Sequence, residues 1–179
     1  MKPARPELEA ESWAFALAIY ARPGVAEACL TLQNEAGVDV MLLMMATFAA
    51  VKRRIVLTAD EIRALNGACS PWREQIVKKL RAIRTELKTG PQPAPSEATE
   101  PFRSKIKALE LEAEKLENRL LAECLPLRPP EVGPARPEQL RAILNEVVTF
   151  FADKRGIKLE THLSPSIDVI VGAAIQDAS

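Results

Sequence analysis

An all-α bundle of about seven helices, interrupted by Pro-rich linkers, is the fold class that this 179-residue chain predicts. Three observations carry that expectation. Aromatic residues make up only 4% of the chain while Ala, Leu and Glu are plentiful, a composition that favours helix over a strand-rich sandwich. Apolar residues recur at helical spacing in most segments. A hydrophobic content of 47% is enough for a core of one domain, or of one domain with an appendage.

The first helix is expected from about Glu7 to Tyr20, stopped by Pro23-Gly24; Trp13 to Tyr20 carries no charge, so its second half should have little exposed surface. A second helix, Val25 to Ala36, ends at Gly37, a natural C-cap. Asp39 suits the N-cap of a third, running to about Arg53, with Val38 and Leu43 as a hydrophobic staple. That helix is apolar nearly all round and belongs at the centre, and Lys52-Arg53-Arg54 suits the dipole at its end. Thr58-Ala59-Asp60-Glu61 has capping-box spacing and should open a short helix to about Asn66. Ser70-Pro71 reads as a fresh start, for a helix to Lys88 that buries Trp72, Ile76, Leu80, Ile83 and Leu87. Phe102, Ile106, Leu109, Ala113, Leu116 and Leu120 alternate spacings of four and three, a coiled-coil seam of about three heptads. Basic residues come first along that stretch and acidic ones after, against the helix dipole, so it should need a partner surface. Pro137 opens another helix, ending near Lys154-Arg155-Gly156 and burying Leu140, Ile143, Leu144, Val147 and Phe151. In the tail, Ile167, Ile170, Val171, Ala174 and Ile175 follow helical spacing, yet Ile-Asp-Val-Ile-Val would also serve as a strand.

Nine of the 14 prolines fall between Pro91 and Pro137, which suggests a division. Residues 1–90 are expected to form a compact helical core able to fold alone. A Pro-rich linker (91–101), the heptad-patterned helix (102–124), a second linker (125–136) and a C-terminal helix and tail (137–179) follow.

The composition excludes several classes of function. With 24 basic and 24 acidic residues the net charge is zero, which disfavours a nucleic-acid partner. Cys29, Cys69 and Cys124 are odd in number and form no Cys-x-x-Cys pair, so neither a disulfide framework nor a zinc site is expected, in keeping with a reducing compartment. Met1 to Glu11 carries three glutamates where a signal peptide needs basic and then apolar residues. The apolar run Val40 to Val51 is well short of the roughly 20 residues that span a bilayer. A cytoplasmic protein with no membrane partner is the expectation.

Chemistry-bearing patterns are sparse. The single histidine, His162, has no nucleophile motif near it, and the glycines are scattered singly rather than gathered in a phosphate loop. No catalytic, metal or cofactor residue is therefore predicted. The acidic runs Glu7 to Glu11 and Glu110 to Glu117 read as solvated helix faces. Gln33 falls inside the apolar arc of the second helix, where a buried amide must find a partner: a neighbouring helix on the plain reading, a ligand on the sharper one. Asp39 has the same two readings, cap or ligand contact. Arg73, Arg81, Arg84 and Lys88 fall within about 80° of arc at helical spacing, where an anionic ligand or acidic partner could dock unless the side chains only run along the core edge into water.

Trp13-Ala-Phe-Ala-Leu-Ala-Ile-Tyr20, Pro23-Gly-Val-Ala-Glu-Ala-Cys-Leu-Thr-Leu-Gln33 and Gly37-Val-Asp-Val40 together resemble a proteobacterial family of small helical proteins known only as a domain of unknown function. The likeness continues through Pro71-Trp72, Leu80-Arg81-Ala-Ile-Arg84 and Leu87-Lys88, and more loosely to Phe151. It implies a shared helical fold and no activity. Asn34 and Met41 depart from the family's usual Asp and Asn. Missing catalytic constellations and an unpartnered heptad seam favour a non-catalytic interaction or regulatory module, with a protein partner or a second copy held through the heptad helix. The alternative is a bundle that binds a small apolar or anionic ligand, with enzyme activity left open.

Overall fold

The structure is a computed structural model that describes residues 5–133, 135–156 and 161–178, with the side chains of residues 161 and 178 left aside. The chain start that bears on the export expectation lies partly outside the described residues. In order come α1 (Arg5–Tyr20), α2 (Val25–Ala36), α3 (Val40–Lys52), α4 (Ala59–Trp72), a π-helical turn (Arg73–Val77), α5 (Lys78–Glu86), α6 (Glu100–Cys124), α7 (Pro137–Lys154), a 3-10 turn (Thr161–Leu163) and α8 (Ser164–Ala178). Because α4 continues through the π turn into α5, these form seven rods, and no strand occurs among the described residues. The fold is all-α.

Local chemistry sets most boundaries. Gly37 at φ 70° closes α2, with its own N–H on Gln33 O and the Val38 N–H on Leu32 O, a Schellman turn. Asp39 follows at once as the N-cap of α3, Oδ1 accepting from the Leu42 N–H at 2.6 Å. The Thr58–Glu61 capping box is present with both of its hydrogen bonds. In α3 every residue from Met41 to Val51 is buried, and Thr47, the one polar residue there, returns its hydroxyl to Leu43 O. α7 covers one side of α3 and α8 packs on α2, α3 and α7, so the core cluster runs from Leu8 to Ala174. The tail takes the helical alternative, burying Ile167, Ile170, Val171 and Ala174. No single helix among the described residues is long and apolar enough to cross a membrane.

The uncharged second half of α1 is not covered as expected, with Leu17 and Tyr20 at 48% and 39% exposure, and two further expectations are corrected. Ser70-Pro71 does not start a helix. Pro71 lies inside α4, which runs on past it and then widens into the π turn, in which the Lys78 N–H reaches back five residues to Arg73 O. That extra residue rotates everything downstream, so Ile76 and Ile83 are exposed and the buried side chains of the turn are Arg73 and Val77. The second correction concerns α6. Its expected seam leaves Phe102, Leu109 and Leu116 at 54%, 48% and 46% exposure, while Ile106, Glu110, Ala113, Glu117, Asn118 and Leu121 are buried. The buried stripe keeps Ile106 and Ala113 of that seam but takes Glu110 and Glu117, one position on, in place of Leu109 and Leu116. The Glu110–Glu117 run is thus not a solvated face.

Candidate functional site

The inward carboxylates of α6 are buried because the opposing rod carries guanidiniums in the matching order. Arg84 and Arg81 meet Glu110, Arg81 reaches on to Glu114, and Arg73 meets Glu117, the descending and ascending numbers of an antiparallel pair. Arg81 is the hub: Nε donates to Glu110 Oε1 at 2.8 Å, Nη2 to Glu114 Oε1 at 2.7 Å, and Nη1 to Gln33 Oε1 at 2.8 Å. Arg84 closes a second fork on Glu110, through Nε and through Nη2 at 3.3 Å. Planar guanidiniums suit such shared carboxylates.

Arg73, turned inward by the π helix and only 4% exposed, anchors the deeper group. Its Nη2 donates to Asn66 Oδ1 at 2.5 Å, while Nη1 lies 3.3 Å from Glu117 Oε1 and 3.4 Å from Asp39 Oδ2, with the Phe151 ring beneath it. Trp72 donates its indole N–H to Ala113 O at 2.9 Å, a close approach that the small Ala113 side chain allows. Ser12 and Asn118 hydrogen-bond each other where α1 crosses α6. Buried ion pairs of this kind hold only while both partners stay, since a lone buried charge is expensive.

Above this network opens a cleft of about 780 Å³ between α1, α2, the start of α3, α5 and α6. Trp13, Leu17, Tyr20, Met41, Met44 and Leu111 give it apolar walls. Asp39, Glu110, Glu114, Glu117, Gln33 and Arg81 supply polar groups, and Lys88 and Lys107, both exposed, also line it.

The carboxyls do not share one electrostatic fate. Burial works against ionised Glu110, but its bonds to Arg84 and Arg81 prevail and hold it below the usual glutamate range. Glu114 is raised, by burial first, with Arg81 offsetting only part of that cost. Glu117 is pushed up to about 8, by burial and then by the neighbouring Asp39 charge, against the pull of Arg73. Its Oε2 atom is buried without a hydrogen-bond partner. Burial also lifts Cys29 to about 12, as befits a small core residue.

Of the residues singled out from sequence, Gln33, Asp39, Arg81, Arg84 and Lys88 all line the cleft, and Arg73 sits buried beneath it. Gln33 finds the interhelical bond its apolar arc demanded, and Asp39 caps α3 while facing the cleft. Arg73, Arg81 and Arg84 are not an open basic stripe, because carboxylates of the same chain already hold them. Asn34 and Met41, the two departures from the family pattern, line the cleft too. Sequence reasoning missed Glu110, Glu114 and Glu117. The available signal was a set of acids at α6 spacings of three and four beside a small Ala113, with arginines at compatible spacing on the rod before it. Among the described residues no group of three or more acidic, Cys or His side chains converges as metal ligands do.

Fold and site together define an all-α protein with a half-open cleft over a buried ionic network. The chain belongs to the family described as "Protein of unknown function (DUF2390)", whose model matches residues 11–121. That span takes in every residue lining the cleft and stops short of α7 and α8, so the likeness expected as far as Phe151 is carried by the model only to the end of α6. No curated protein and no solved structure matches the chain.

Proposed function

We propose that the protein binds a small, mainly apolar molecule in the cleft between α1, α2, α5 and α6. The observation that carries this reading is the combination of volume and lining: about 780 Å³ lies within the range of small-molecule sites, with apolar walls and a few convergent polar groups already held in place. Gln33 and Arg81 are fixed by each other, so a ligand meets an arranged surface. Three probes with one phenylethyl body test it: 2-phenylethanol, 3-phenylpropanoate and 2-phenylethylammonium, followed by amide chemical shifts. At least one should shift the amides of Leu30 to Asn34 and of Ala108 to Glu114, and Leu17→Trp, which fills the mouth from an exposed position, should abolish those shifts. Shifts absent for all three probes, or unaffected by Leu17→Trp, would refute the reading.

A second reading has its own support. Phe102, Leu109 and Leu116 repeat every seven residues on the outer face of α6 and stand about half exposed, an apolar row that suits another helix. On this reading the heptad helix joins a protein partner or a second copy, and sedimentation of the wild type against Leu109→Asp/Leu116→Asp decides it: a dimer lost in the variant supports it, a monomer in both sinks it.

A further inference from the structure

The network beneath the cleft is short of one positive charge. Asp39, Glu110, Glu114 and Glu117 bring four carboxyl groups, and only Arg73, Arg81 and Arg84 are paired with them. Glu74 also approaches Arg73, but it is half exposed and takes Lys78 as its own partner. Arg81 and Arg84 balance Glu110 and Glu114, so the deficit falls on Arg73, which faces both Asp39 and Glu117. At that place one polar atom is left over: Glu117 is 0% exposed, lines the cleft, and its Oε2 has no partner at hydrogen-bond distance, the Cys69 thiol being a weak donor beside the same carboxyl. Buried carboxyl oxygens are almost always hydrogen-bonded, so an orphan beside a cleft points to a donor supplied from outside.

We infer that the inner end of the cleft takes a single organic ammonium group, held by Glu117 with Asp39 and Glu114 around it, on a ligand whose apolar body lies against Trp13, Tyr20 and Met44. The inference rests on the proposed ligand-binding role and adds the class of ligand. An ammonium supplies both missing features, one positive charge and N–H donors. Trp13 and Tyr20 line the cleft, and aromatic rings suit a cation entering past them. Met41 and Met44, unbranched and pliable, line it too and can adjust their rotamers to a ligand. Lys88 and Lys107 oppose a second positive charge, so a monoammonium fits better than a polyamine.

Proton balance follows from the groups facing Glu117: Arg73 from the π turn, Cys69 from α4, Asp39 ahead of α3, and Glu114 on its own helix. Without ligand the surplus charge is cancelled by a proton on Glu117; an ammonium replaces that proton, which leaves to solvent. Because burial and the Asp39 charge push Glu117 up to about 8, ammonium affinity should fall as pH drops below that region, by up to about tenfold per pH unit, and level off above it.

The experiment compares the same three probes by isothermal titration, at pH 6.5 and 8.5 and in buffers of different ionisation enthalpy. The wild type should bind 2-phenylethylammonium at least tenfold tighter than 2-phenylethanol at pH 8.5, releasing about one proton at pH 6.5. Glu117→Gln should erase the preference and the proton release while still binding 2-phenylethanol. If 2-phenylethanol or 3-phenylpropanoate binds in the cleft and the ammonium binds no tighter, the binding role stands and the ammonium inference falls. If no probe enters the cleft, the binding role falls first. Should Glu117→Gln not fold, the pH dependence and proton count of the wild type decide alone.

Discussion

Helices α6 and α7 both pack on α3, yet they bury opposite chemistry. The inner face of α7 is Leu140, Ile143, Leu144, Val147, Val148, Phe151 and Ala152, apolar throughout. That of α6 sets Glu110, Glu117 and Asn118 among Ile106, Ala113, Leu121 and Ala122. α7 gains from every residue it buries, whatever the pH. α6 gains only if the arginines opposite it are in place, and it walls the large cleft, which no α7 residue lines. An apolar stripe makes a wall, whereas a paired ionic stripe makes a surface that can be left incomplete for something else to finish.

The contrast can be broken on its apolar side first. Leu144→Ala should cost about 2 to 5 kcal/mol by denaturant unfolding, equally at pH 5 and pH 8, since no titrating group is disturbed. Glu110→Gln should cost about 1.5 to 3 kcal/mol, because Arg81 and Arg84 lose their shared acceptor. Glu110 is held low in the folded protein, so the stability it contributes is present above the ordinary value of 4.5 and lost as pH falls through its folded pKa. The difference between wild type and variant should therefore shrink in acid. Glu117 carries the opposite sign: with its folded pKa raised, its contribution is present below 4.5 and lost as pH rises through about 8. Relative to wild type, Glu117→Gln should gain about 2 kcal/mol between pH 6 and pH 8 in urea titrations without ligand. The smallest effect is expected outside the pairing altogether, where Leu116→Ser on the exposed face of α6 should change stability by no more than about 0.5 kcal/mol.

α7 was legible in sequence, with Val148 and Ala152 the only residues of its buried face left out, because its apolar spacing has one solution and Pro137 marks the start. α3 and its Asp39 cap were legible for similar reasons. α6 was not: its leucines spell a seam at Leu109 and Leu116, and a pattern reading sends charges to water. The structure keeps Ile106 and Ala113 but buries Glu110 and Glu117 in place of Leu109 and Leu116, because Arg73, Arg81 and Arg84 pair with them, a relation between two helices that no single-helix periodicity contains. Pro71 misled in the same way. Read locally it starts a helix, but α4 runs on through it into the π turn that turns Arg73 inward, towards α6. The cleft was half visible, through Gln33, Asp39 and the arginines, while its acidic floor was hidden by the rule that made the rest readable.

The central claim is that Asp39 and the three inward carboxyls of α6 outnumber by one the three arginines paired with them, and that Glu117 holds the surplus as a proton. Carbon-detected NMR of the side-chain carboxyl of Glu117, titrated in the ligand-free protein, measures this directly. A midpoint near 8, with Glu110 still ionised well below it, is the predicted result. A Glu117 midpoint at or below the ordinary 4.5 would show that Arg73 neutralises Asp39 and Glu117 together, and would contradict the account.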